Sequence, residues 1–233
     1  MPIFAEDIIS RMFLPELATL RDAIFARVLP AFDHIEAEAA QIERQTFHRF
    51  KTTANEYYDG EDLAEAAFEE GFAHYDLMTD TRQLVLNVLV IALFHLFEQQ
   101  KHLLSFPTLG ELEPDSRERD KLFGEFLETP GIDSTAFPDH TQLEELKLVA
   151  NVAKHAEGQA AKYLRILRPE LLAHGEGLPL PSHVKAVNRP LMGEDLFVQP
   201  DDLRAYFNAV ESFWRFVLDQ LPSTLSEAAP SRY

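Results

Sequence analysis

Cysteine is absent from the 233 residues, which removes disulfide scaffolds, thiolate zinc sites, iron–sulfur clusters and cysteine nucleophiles from consideration. Glycine is scarce, with nine residues in all, and no run of alternating apolar and polar residues is framed by hairpin turns, so few or no strands are expected. Positive charge is short as well. Twenty-one Lys and Arg face 39 Asp and Glu, a net charge of −18, which excludes a surface coated for sequence-independent nucleic-acid binding and confines any RNA contact to a local patch. The longest apolar stretch, Leu84 to Phe97, covers fourteen positions broken only by Asn87 and His95, fewer than the roughly 18 to 20 that cross a bilayer. It reads as a buried core helix rather than a membrane span. The opening Met1-Pro2-Ile3-Phe4-Ala5-Glu6-Asp7 places acid where a secretory signal needs a basic segment, and a cytoplasmic location is the expectation.

What is present is helix-forming. Hydrophobic residues make up 46% of the chain, enough for a sizeable core, and long stretches of Ala, Leu, Glu, Lys and Gln point to an all-α protein. The expected architecture is a helical bundle in a single domain, residues 1–233. Within it lie an N-terminal arm or hairpin over 1–58, a bundle over 61–221 and a tail over 222–233.

The spacing predicts a first helix from Ala5 to Val28 with a bend near Pro15, and a second from Pro30 to Phe50. A third over Glu61–Leu77 precedes a central helix capped by Thr79 or Asp80 and running to Phe106. A short charged helix then ends before Pro130. Helices over Asp139–Ala156, Gln159–Leu172 and Pro200–Leu221 complete the set. From Gly175 to Pro200 seven Gly and Pro residues predict a long irregular excursion of the kind that covers a partner or a site.

Two polar stripes interrupt the apolar helices. On the central helix, at about 100° per residue, Asn87, Glu98, His102 and His95 fall on one side. They mark either where the helix reaches solvent or a buried hydrogen-bond partner, or the lining of a site. As a metal constellation, His95, Glu98 and His102 match neither the spacing of zinc hydrolases nor that of di-iron bundles, so neither metal nor cofactor is expected. On the later helix, Asn151 and His155 lie within about 40° of each other, with Lys147 and Lys154 beside them, and away from Leu143, Leu146, Val149, Ala150 and Ala153. This face is either an ordinary solvated surface or an interaction site. The segment from Lys147 to Arg168 holds five cations and one acid, a local net charge of +4. That suits a phosphate, or equally the protein's own acidic surface.

The run Leu93-Phe94-His95-Leu96-Phe97-Glu98-Gln99-Gln100, followed by Leu146-Lys147-Leu148-Val149-Ala150-Asn151-Val152-Ala153-Lys154-His155-Ala156-Glu157-Gly158, resembles the HEPN superfamily of helical bundles, in particular its bacterial branches. The similarity covers roughly Asp80 to Leu221, including Gly193-Glu194-Asp195-Leu196, Tyr206 and Phe213-Trp214. It implies a dimeric helical bundle of a bacterial defence, antiphage or toxin–antitoxin system. In many members an Arg, a following polar residue and a His four to six residues after the Arg form a metal-independent ribonuclease site. Asn151 and His155 match the polar residue and the His, but Ala150 stands where the Arg belongs.

The resemblance therefore implies first a non-catalytic interaction or dimerisation module, a homodimer with a partner protein reached through the 174–200 excursion. The alternative it implies is an endoribonuclease. There His155 is the acid–base, Asn151 orients the phosphate or His155, Lys147 and Lys154 supply charge, Glu98 supports from the neighbouring helix, and RNA lies along 147–168.

Overall fold

The computed structural model describes residues 2–53, 59–105, 116–133, 136–156, 158–172 and 196–221. Among them there is no strand, and the protein is all-α. The helices are α1 (Pro2–Ile8), α2 (Leu14–Ala23), α3 (Ile35–Thr53), α4 (Gly60–Ser105), α5 (Ser116–Glu128), α6 (His140–His155), α7 (Gln159–Leu167) and α8 (Pro200–Gln220). Most of the excursion expected over 174–200 lies outside the described residues, as does the 222–233 tail.

Pro15 and Pro30 each follow closely on a π-turn. A π-turn over Ile9–Phe13 joins α1 to α2, with the Leu14 N–H donating to the Ile9 carbonyl just before Pro15. A second, over Ile24–Val28, ends with Leu29 donating to Ile24 just before Pro30. A proline ring clashes with the carbonyl four residues back and offers no N–H, and widening the preceding turn by one residue lets the helix pass through it. Pro30 consequently belongs to a short 3₁₀ turn, Leu29–Phe32, and the next helix starts at Ile35 rather than at Pro30.

The separate helices expected over 61–77 and from 79 or 80 onward are one 46-residue helix, α4. Its cap is Asp59, whose Oδ1 accepts from the Glu61 and Asp62 N–H groups at 2.8 and 2.9 Å. Thr79 and Asp80 sit inside it, where the Thr81 hydroxyl simply bonds back to the Leu77 carbonyl. This helix is long and apolar enough, by length and composition, to cross a membrane, unlike the fourteen-residue run considered alone. On one face Val90, Leu93, Phe97 and Leu104 are buried, but most of the apolar window is not, and Leu84 and Val88 are more than half exposed, so the buried core helix expected there is buried along one face only.

The chain gathers into two compact units, Met1–Arg21 with Asn87–Tyr233, and Asp22–Leu86. These borders differ from the 58/61 division expected. The reason in the first unit is visible at Phe13, whose ring lies 5.0 Å from that of Trp214, and at Arg21, whose guanidinium meets Glu211 at 2.8 Å. The N-terminal helix thus packs on α8. Trp214 is fully buried and also meets Phe97 and Phe123 edge-on. Its indole N–H donates to Gln100 at 2.7 Å, satisfying two polar groups that burial would otherwise penalise.

In the second unit, α3 and the first part of α4 run antiparallel. Thr46 and Arg49 bond Glu70 at 2.8 and 3.1 Å, and Glu38 faces His74 at 3.3 Å. The helices touch at Gly71, where a Cβ would lie 2.9 Å from the Ala39 carbonyl and 3.1 Å from Glu43 Cβ.

Two helix ends in the first unit show how local sequence stops a helix. After α5, Ile132 donates to Leu127 and Gly131 to Glu128, both at 2.9 Å, with Gly131 at φ +79° and Leu127 and Ile132 buried together. This is a Schellman closure. After α6 the same left-handed φ, +56°, falls on Ala156, a non-glycine residue held there by its N–H bond to the Val152 carbonyl at 2.8 Å.

Candidate functional site

All five residues singled out from sequence lie in the first unit, on α4 and α6. The buried side of α6 carries Leu146, Val149, Ala150 and Val152. Lys147, Lys154 and His155 are exposed and Asn151 is half-buried, so the face away from the core is where the spacing put it.

Glu98 and Lys147 line one groove of about 230 Å³ between α4, α5 and α6. Its floor is aromatic, with Phe97, Phe123, Phe137 and Phe213 in edge-to-face or tilted contact at 5.3 to 6.2 Å. Its rim is charged. Glu98 Oε1 holds Lys101 Nζ at 2.5 Å, Asp120 lies 3.5 Å from the same nitrogen, and the ammonium stands over the Phe97 and Phe123 rings at 5.3 and 5.7 Å. Glu144 and His140 complete the α6 side. Farther along α6, Lys154 Nζ sits 5.9 Å from the Phe94 ring centre, a weak cation–π contact.

The arrangement brings two of the five residues to one groove and leaves three outside it. His155, the last residue of α6, projects into solvent, and no hydrogen bond or ion pair among the described residues joins it to Glu98, Lys147 or Asn151. Glu98 is engaged with Lys101 of its own helix rather than supporting α6. Ala150, at the position where the resemblance expects a cation, has no exposed surface. The α4 stripe also separates: Asn87 is buried, while His95 is exposed and bonded to Gln99 at 3.0 Å. No group of three His, Asp or Glu side chains with metal-ligand spacing occurs among the described residues.

Sequence reasoning passed over a second constellation. Arg168 reaches Glu145 of α6, Glu170 and, at 2.8 Å, Asp202 of α8, and the Tyr206 hydroxyl donates to Glu145 at 2.7 Å. Asp202 has a second task, accepting the Gln199 N–H at 2.9 Å in the capping box that opens α8. The carboxylates hold the Arg168 guanidinium well above its ordinary range against the opposing effect of burial. Burial first, then the Glu145 carboxylate, pushes the Tyr206 phenol up, while the bond to Arg168 draws the exposed Glu170 carboxyl down. The signal available in sequence was Glu145 itself, which at about 100° per residue falls between Val152 and Val149 on the apolar arc of α6.

This network changes the charge reading of 147–168. Arg168 is only partly exposed and is tied to three carboxylates, so the exposed cations of the segment are Lys147, Lys154, Lys162 and Arg165. The open cleft of about 530 Å³ over Arg168, Glu170, Phe197, Gln199 and Asp202 likewise presents a cation already neutralised. It is poorly suited to an anion.

Comparison with protein-family models, with curated proteins and with solved structures found no match to this chain.

Proposed function

We propose that the chain is a HEPN-like interaction module, non-catalytic and homodimeric, acting in the cytoplasm within a bacterial defence or toxin–antitoxin system. Its working face is the outer side of α6 with the adjoining aromatic groove. The observation that carries the non-catalytic reading is the burial of Ala150. A phosphate-gripping cation belongs at this position of the motif, and here the side chain is a core methyl with no route to solvent. Lys147 and Lys154 are exposed on the outer face of the helix but supply point charges, without the planar fork that holds a phosphate oxygen pair. The groove supports a binding role on its own terms, since an aromatic floor with a charged rim is how protein interfaces anchor a partner side chain.

The test has two arms. Purified wild type and His155→Ala, incubated with labelled RNA and expressed in cells, are expected to behave alike, with neither cleaving RNA nor arresting growth; cleavage that His155→Ala abolishes would replace this proposal with the ribonuclease alternative. Sedimentation is expected to show a dimer that Lys147→Glu with Lys154→Glu shifts toward monomer. A wild-type monomer at all concentrations removes the dimer from the proposal.

A further inference from the structure

The second unit holds a surface unlike anything on α6. Because Gly71 lets α3 and α4 approach until backbone meets side chain, the large residues flanking it on α4 cannot fit between the helices and stand beside them. Phe68 and Phe72 stack at 6.1 Å with 57% and 54% of their surface exposed, and Tyr75 follows at 38%. Together with Ala39 and Ala40 they form a groove of about 220 Å³. Two neighbouring phenylalanines more than half exposed form an apolar patch rather than scattered surface residues.

Charge selects the occupant. Glu36 and Glu43 rim the groove, and residues 22–86 hold fourteen acids against five Lys and Arg, a net −9 that is half of the whole chain's −18. A nucleic acid or an anionic bilayer is repelled by this rim, and so is a second copy of an equally acidic chain. An extended peptide has nothing to pair with, because both walls are helices whose backbone bonds are internal. A third helix laid along the ridge between two antiparallel helices has the right shape.

We propose that the groove between α3 and the first part of α4 docks a cationic amphipathic helix of a partner protein. Aliphatic side chains at i, i+3, i+4 and i+7 lie against Phe68 and Phe72, and Lys or Arg reach Glu36 and Glu43. The inference is independent of the α6 face and stands if that face proves idle.

Fluorescence anisotropy of a labelled Lys/Leu helix of about eighteen residues, titrated with the full-length chain, tests it. Controls are a peptide of the same composition in scrambled order and one with Glu in place of Lys. The ordered peptide is expected to bind about tenfold or more tighter than either control. Phe68→Ala with Phe72→Ala leaves the charge unchanged and is expected to weaken binding about tenfold. Glu36→Gln with Glu43→Gln is expected to weaken it several-fold and flatten its salt dependence. Circular dichroism melts of each variant matching wild type establish that the fold is intact.

Binding undiminished by the phenylalanine pair would mean bulk charge attraction and overturn the proposal. Equal binding of the Glu peptide, or no saturable binding at all, also overturns it. A wild-type dimer that Phe68→Ala with Phe72→Ala dissolves assigns the groove to a second copy and overturns it as well.

Discussion

Replacing Arg168 by Met removes the guanidinium while keeping most of the side-chain stem. The carboxylates it leaves behind are poorly hydrated, with Glu145 at 12% and Asp202 at 15% side-chain exposure, and Glu145 still has to accept from Tyr206. Breaking a fully buried ion pair by deleting one partner costs about 3–5 kcal/mol. Because Arg168 is itself 28% exposed, water recovers part of this, and we expect a loss of about 2–3 kcal/mol.

Trp214 is the only tryptophan and lies buried in the same unit, so urea unfolding followed by its fluorescence reports directly on this change. With a slope of about 2–3 kcal/mol/M, the midpoint is expected to fall by about 1 M. Adding Glu145→Gln to Arg168→Met should recover part of the loss, since the repulsive carboxylate is then neutral. Wild type should also weaken on the acid side, because a carboxyl drawn down in the fold, as in Glu170, stabilises above its unfolded range and loses that contribution as pH falls through it. The Met variant should lack the Glu170 part of that slope. A midpoint within about 0.2 M of wild type refutes the reasoning and makes the network a hydrated surface cluster.

Three further outcomes are expected. Ala156→Gly relieves a positive φ at the loss of one methyl and should stabilise by about 1 kcal/mol, read as a rise in Tm of a few degrees; an unchanged or lower Tm contradicts strain there. Gly71→Val places atoms into the Ala39 carbonyl and Glu43, and should cost about 1–3 kcal/mol, seen as faster amide exchange across α3. Tyr206→Phe should blunt alkaline destabilisation. A phenol raised in the fold stabilises fully below the unfolded value of about 10 and progressively less above it, so wild type should lose stability above pH 10 more steeply than the variant.

How far the sequence could be read depended on whether a feature was local. Helices α6 and α8 were placed to within a residue or two, because Pro200 followed by Asp201 and Asp202 encodes a start and the apolar residues of each repeat at helical spacing. Thr79 and Asp80 misled because capping residues are permitted inside a helix, and whether they cap depends on whether the chain turns there. Pro15 is a helix breaker by local chemistry, but the π-turn before it let the helix continue into α2, whereas at Pro30 the chain does leave the helix through a 3₁₀ turn and restarts at Ile35. At the candidate site, the exposed face of α6 followed from periodicity. The pairing of Lys101 with Asp120, and of Glu145 with Arg168, did not, because partners from separate segments share no spacing rule, unlike Glu98 and Lys101 three residues apart on one helix.

The lack of cysteine, the shortage of glycine and the 3.6-residue recurrence of apolar side chains by themselves determined an all-α chain and removed thiolate chemistry, because composition and period act on each segment alone. Tertiary structure decided what those helices mean for function. It placed Ala150 in the core and His155 in solvent, and tied Arg168 to three carboxylates drawn from separate segments. It also pressed α3 so close to α4 at Gly71 that Phe68 and Phe72 were left outside. Each of these depends on which surfaces of distant segments meet, and that is settled by packing density and by the need to satisfy buried charge.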